Sequence, residues 1–163
     1  MIELTITREY RCRANLDLYS SPACAGLATQ AAKDRQLRIE SLTPTEQAIR
    51  VRLREDDYPA WLKLADVEQL ELAVDNYQAV KVARDVVAAR ISEIIAFAQS
   101  AMKVPNQYLW GGTVAPDYDC SGLMQAAFKS QGIWLPRDSY QQEAFTLHIP
   151  VAEMLPGDRK SVV

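Results

Sequence analysis

Cys120 is the residue around which chemistry can be built. It stands between Asp119 and Ser121-Gly122, and an apolar pattern of helical period begins just after it with Leu123, Ala126, Ala127 and Phe128. This spacing predicts a helix that opens at Cys120 and stops at Gly132. A cysteine at a helix start is suited to nucleophilic attack, because the unpaired backbone N–H groups and the positive end of the helix dipole favour a thiolate over a thiol. Gly122 allows another backbone or a substrate to approach closely. On geometry alone Asp119 reads first as the helix N-cap.

Other pieces surround this turn in a fixed order. Tyr108 and Trp110-Gly111-Gly112 precede Asp119-Cys120-Ser121-Gly122, and Leu135-Pro136-Arg137 and Ser139 follow it. Together they resemble the NlpC/P60 family of papain-like cysteine peptidases. The layout is most similar to γ-D-glutamyl-L-diamino acid endopeptidases that carry a bacterial SH3 domain in front of the peptidase domain.

Amide hydrolysis of this kind needs a thiolate, a base that also protonates the leaving amine, and donors for the oxyanion. Cys120 is the nucleophile on this reading. Its backbone N–H and, by resemblance, the Tyr108 hydroxyl would meet the oxyanion. The resemblance further implies that Asp119, Ser121 and Ser139 bind the free amino group of an L-Ala substrate terminus, and that Tyr58 closes the cleft from the SH3 side. A buried carboxylate beside hydroxyls suits an ammonium group. Arg137 is read as a structural hydrogen-bonding residue.

One part of the pattern is missing. The family places its catalytic histidine on an apolar strand after the Pro-Gly-Asp turn, whereas here Pro156-Gly157-Asp158 runs into Arg159-Lys160-Ser161-Val162-Val163. The only histidine, His148, precedes that turn in a connecting segment. The expectation is therefore a murein-peptide hydrolase lineage, cleaving the bond between γ-D-Glu and a diamino acid, in a truncated or frame-shifted and inactive copy. The alternative is a non-catalytic module that binds murein peptides.

The elements that must position these residues are of two textures. Leu16 to Tyr19, Leu27 to Gln30, Leu37 to Leu42 and Ala48 to Leu53 read as short strands separated by turns, with Ile49, Val51 and Leu53 facing a core. Arg54-Glu55-Asp56-Asp57 reads as a solvated turn, followed by a strand whose Trp61 fills a small barrel. Further on, Val87, Ile91, Ile94, Ile95, Ala98 and Met102 recur at spacings of three and four, the apolar stripe of a helix that ends before Pro105. The fold class is α+β: an SH3-like β-barrel over 1–72, a linker over 73–84, and a partial papain-like domain over 85–163. The helices of the second part lack most of the sheet on which such a domain packs.

Composition narrows the partners. With 163 residues, 48% apolar content and a net charge of −3, the chain has the make-up of a globular protein and no basic footprint for nucleic acid or an anionic membrane. No stretch approaches the roughly 20 apolar residues that span a bilayer, and the start lacks a signal-like run, so a cytoplasmic protein is expected. Cys12, Cys24 and Cys120 form neither a disulfide framework nor a metal-ligand pattern. No cofactor or metal is expected, and Cys12 and Cys24 read as buried, reduced apolar residues.

Overall fold

The computed structural model describes residues 4–160. The first part is mostly strand, β1 (Glu9–Cys12), β2 (Leu16–Tyr19), β3 (Leu27–Ala31), β4 (Gln36–Ile39), β5 (Ala48–Leu53), β6 (Pro59–Lys63) and β7 (Leu70–Leu72), with a 3-10 helix over Leu64–Gln69. They join in one antiparallel sheet of order β3-β2-β6-β5-β4-β1-β7. The sheet wraps a single core of Tyr10, Cys12, Leu16, Leu18, Ala31, Leu37, Ile39, Ile49, Val51, Leu53, Ala60, Leu62 and Leu70. Alternation dictates this: in β5 the side chains of Ile49, Val51 and Leu53 are buried while Arg50 and Arg52 face outward. Each aliphatic side chain so buried contributes about 1.5–3 kcal/mol.

Three expectations are corrected here. β1 repeats the same alternation, with Tyr10 and Cys12 inward and Arg11 outward, and adds a strand the sequence reading passed over. Trp61 does not fill the barrel. Ala60 and Leu62 take the inward positions of β6, so the two-residue period turns Trp61 out, under the Arg50 guanidinium at 5.3 Å. The turn after β5 is not solvated: the Glu55 and Asp56 side chains are 5% and 0% exposed, because Arg35 pairs with both at 3.1 and 2.8 Å. Buried carboxylates persist only with such partners.

Among its described residues the second part holds four α-helices, α1 (Arg84–Ala89), α2 (Ile91–Lys103), α3 (Cys120–Lys129) and α4 (Ser139–Phe145), a 3-10 turn over Val151–Glu153, and a two-stranded hairpin of β8 (Thr113–Val114) and β9 (Asp117–Tyr118). The single helix expected before Pro105 is broken at Arg90, whose guanidinium donates to the Gln131 carbonyl at 2.6 Å. Its apolar stripe does pack on α3, with Ile94, Ala127 and Ile133 buried among Val87, Ile91, Phe97, Ala98 and Phe128. Met102, the last residue of the stripe, leaves the core and is 75% exposed. That core is thin. Phe145, Leu147, Val151 and Leu155 are all exposed, and β8 and β9 are the only strands among the described residues of this part.

The two parts meet along β3. Gln30 accepts from the backbone N–H groups of Thr113 and Val114 through its side-chain oxygen, at 3.1 Å each, and its carbonyl accepts from the Thr113 hydroxyl. Gln125 of α3 donates to Asp56 at 2.8 Å, and the Trp134 ring covers the buried Arg35 guanidinium at 4.6 Å. On the β3 edge the Gln30 carbonyl thus finds its partner in the second part.

Candidate active site

Local sequence builds the nucleophile turn. Asp119 is the N-cap of α3, accepting from the Gly122 N–H at 2.7 Å. Its own N–H donates to the Gly112 carbonyl at 3.2 Å, and the Gly111 N–H donates back to its other carboxylate oxygen at 2.9 Å. Gly111 lies at φ +85°, a conformation that favours glycine. Gly122 is held against the Gly112 carbonyl so closely that a Cβ there would lie 1.9 Å from its oxygen. The close approach allowed by Gly122 is therefore taken by backbone. Gly122→Ala is expected to lower stability by about 1–3 kcal/mol or more, as an overpacked site does, read as a fall in the denaturant midpoint. An unchanged midpoint would mean that the turn relaxes freely.

Cys120 opens α3 with its side chain exposed. Tyr108 and Cys120 line the same groove. Although Tyr108 is 66% exposed, desolvation, and then Cys120 and Asp119, raise the pKa of its phenol, so it remains a proton donor. The groove has a volume of about 270 Å³ and is also lined by Met102, Asn106, Pro116 and Leu123.

Asp119 has further partners. Arg137, 1% exposed, donates to both its oxygens, at 2.6 and 3.2 Å, and to the Ser121 hydroxyl at 2.9 Å. Ser121 itself donates to Asp119 at 3.1 Å. Burial alone would raise the Asp119 pKa, but the Arg137 hydrogen bonds and the N–H groups of Gly122 and Gly111 hold it below the ordinary carboxylate value. Both carboxylate oxygens thus accept hydrogen bonds from within the chain, while Asp119 also lines the groove at Cys120. Ser139 is not brought to Asp119: it opens α4, is exposed, and lines a different cavity.

The structure singles out a residue that the sequence reading missed. The Tyr58 hydroxyl of the barrel donates to Asp138 at 3.4 Å. Burial and the Asp138 carboxylate push the Tyr58 phenol up to about 12. Asp138 is itself raised, chiefly by burial and against the pull of Arg137 and Tyr58. Asp138 is also the N-cap of α4, in a capping box with Gln141. Its position between Arg137 and Ser139 was the available signal. His148 lines the cavity under α4 with Ser139 and Gln142, away from the groove at Cys120. Cys12 is fully buried, as expected, and its thiol is pushed up to about 12 by that burial. Cys24 is only half-buried, in a turn at φ +54°.

Comparison with known proteins bears on this geometry. Residues 18–67 match the model of the bacterial dipeptidyl-peptidase SH3 domain, and residues 105–159 match that of the NlpC/P60 family. The chain is thus similar to the NlpC/P60 family in its second part and to a bacterial SH3 domain in its first. The Bacillus subtilis (strain 168) γ-D-glutamyl-L-lysine dipeptidyl-peptidase is 41% identical to this chain over 51 residues, 31% of the chain and 17% of that protein. The bifunctional muramidase/DL-endopeptidase CwlT of the same organism is 40% identical over 62 residues, 37% of the chain and 19% of that protein. The matched segments thus span less than a fifth of either relative. A solved NlpC/P60 family protein from Bacillus cereus ATCC 10987 covers 92% of the chain, which covers 45% of it, at 22% identity and a TM-score of 0.39.

The NlpC/P60 segment contains Tyr108, the Gly111-Gly112 pair, Asp119-Cys120-Ser121 and Arg137, the residues that build the turn. Among the described residues no cluster of three or more His, Cys, Asp or Glu could hold a metal ion, and no helix is long and apolar enough to cross a membrane.

Proposed function

We propose that the chain is of a cell-wall peptidase lineage that takes murein peptides of the type L-Ala-γ-D-Glu-diamino acid with a free amino terminus. Cys120 is the nucleophile directed at the γ-D-Glu to diamino-acid bond, with its own N–H and the Tyr108 phenol as oxyanion donors. The observation that supports this reading is that the exposed Cys120, at the head of α3, shares one groove with Tyr108. Tyr58 and Asp138 receive the L-Ala ammonium, while Asp119, Ser121 and Arg137 form the buried support behind the cysteine. A free L-Ala amine exists on peptides already released from the wall, so in this reading the chain serves their recycling in the cytoplasm.

A second reading is favoured by one fact: the groove at Cys120 contains no histidine. The same site then binds the peptide without cleaving it. Calorimetry with L-Ala-γ-D-Glu-diaminopimelate tests what both readings share. Binding that weakens about 10-fold or more on N-acetylation of the alanine is expected, from the loss of a charge-assisted hydrogen bond. Equal affinity for the acetylated peptide would remove the ammonium receptor from the proposal.

Asp138→Asn separates receptor from scaffold. Because the folded pKa of Asp138 is raised, its ionised form costs stability as pH rises through that value, and the neutral amide removes this cost. The variant is expected to melt at a higher temperature at neutral pH while losing the preference for the free amine. A lower melting temperature with binding intact would make Asp138 a structural residue.

A further inference from the structure

We propose that β3 of the barrel positions the Cys120 nucleophile, with Thr29 and Gln30 as its positioning residues. This rests on the reading of Cys120 as a nucleophile. Thr29 is fully buried, and its hydroxyl accepts from the Arg137 Nε–H at 3.0 Å. The other guanidinium nitrogens of Arg137 hold Asp119 and Ser121, the residues on either side of Cys120. A barrel hydroxyl therefore fixes the plane of the guanidinium that fixes the cap of α3. Arginine offers its donors in a rigid fork, so orienting one nitrogen orients the rest.

Gln30, the next residue, faces the other side of the strand and holds the second wall of the turn. Its side-chain amide is itself oriented by Asp17 at 2.9 Å, and its oxygen accepts from the N–H groups of Thr113 and Val114 at 3.1 Å each. These residues directly follow Gly112, whose carbonyl accepts from the Asp119 N–H. A third contact lies at the start of β3, where a Cβ on Gly111 would stand 2.7 Å from the Leu27 carbonyl oxygen. The amino-terminal turn of α3 is thus gripped from two sides by consecutive residues of a strand belonging to the barrel. The period of two places Thr29 and Gln30 on opposite faces, which is what allows one short strand to reach both walls. If the turn loosens, the ordered N–H groups and the dipole that favour attack by Cys120 are lost, although Cys120 stays exposed.

The test is the rate of alkylation of Cys120 by iodoacetamide in the full chain, followed by mass spectrometry, with the buried Cys12 as an internal reporter of barrel opening. Thr29→Val keeps the shape and removes the acceptor; Thr29→Ser keeps the acceptor. Alkylation of Cys120 about fivefold slower in T29V, near the parent rate in T29S, with Cys12 protected in both, is expected from the loosened helix cap. An unchanged rate in T29V with Cys12 protected overturns the proposal. If T29V exposes Cys12, Gln30→Ala decides in its place: slowing supports the proposal and an unchanged rate overturns it. The measurement uses no peptide, so a chain that binds no murein peptide but shows this pattern would fail the proposed function and keep the positioning role.

Discussion

Incubated with L-Ala-γ-D-Glu-diaminopimelate, this chain is expected to turn over about 10⁴- to 10⁶-fold more slowly than an NlpC/P60 relative whose cysteine faces a histidine base, as removal of the base does in other nucleophilic hydrolases. On the proposed reading Cys120 attacks with Tyr108 beside it in the groove, and no histidine lines that groove to take the thiol proton or return one to the leaving amine. The chain has one histidine, and it lines the cavity beneath α4 with Ser139, Gln142 and Glu143. Turnover comparable to such a relative and abolished by His148→Ala would show that His148 reaches Cys120 in the working state. Comparable turnover that survives this substitution would mean a different mechanism.

Arg137→Ala is expected to destabilise the chain by about 3–5 kcal/mol, the cost of leaving one member of a buried ion pair uncompensated. Arg137 is 1% exposed and holds Asp119, Ser121 and Thr29 together. Its removal strands a carboxylate that burial by itself disfavours. The sign with pH follows from the depressed folded pKa of Asp119: in the parent its contribution is present above the unfolded value of about 3.9 and is lost as pH falls through the folded value. In the variant the stranded carboxylate can be relieved by a proton. The deficit in urea unfolding free energy is therefore expected to be largest at neutral pH and to shrink toward about pH 4. A deficit equal at both pH values would assign the effect to lost packing of the side chain and not to its charge.

Much of the fold and of the nucleophile turn was legible in the sequence, because both rest on short-range periodicity. The alternation of β5, the helical stripe from Val87 to Ala98, the N-cap at Asp119 and the stop at Gly132 (φ +73°) all follow from interactions within a few residues. Cys120 at the head of α3 follows in the same way. What lies between distant segments was not legible, since no local rule says which buried charge meets which. Glu55 and Asp56 look like a solvated turn until Arg35, under the Trp134 ring, is seen between them. Nor does any local pattern pair Arg137 with Asp119, or bring the Tyr58 hydroxyl of the barrel to Asp138. Thr29 carries no signal at all, being one β-branched residue in a strand, yet it is the acceptor that orients Arg137 across a separation of 108 residues. Chain geometry alone places Cys120 at a helix start and sets which faces are apolar. The partner of each carboxylate emerges only in the folded chain, because pairing and desolvation of charges depend on neighbours far apart in the sequence.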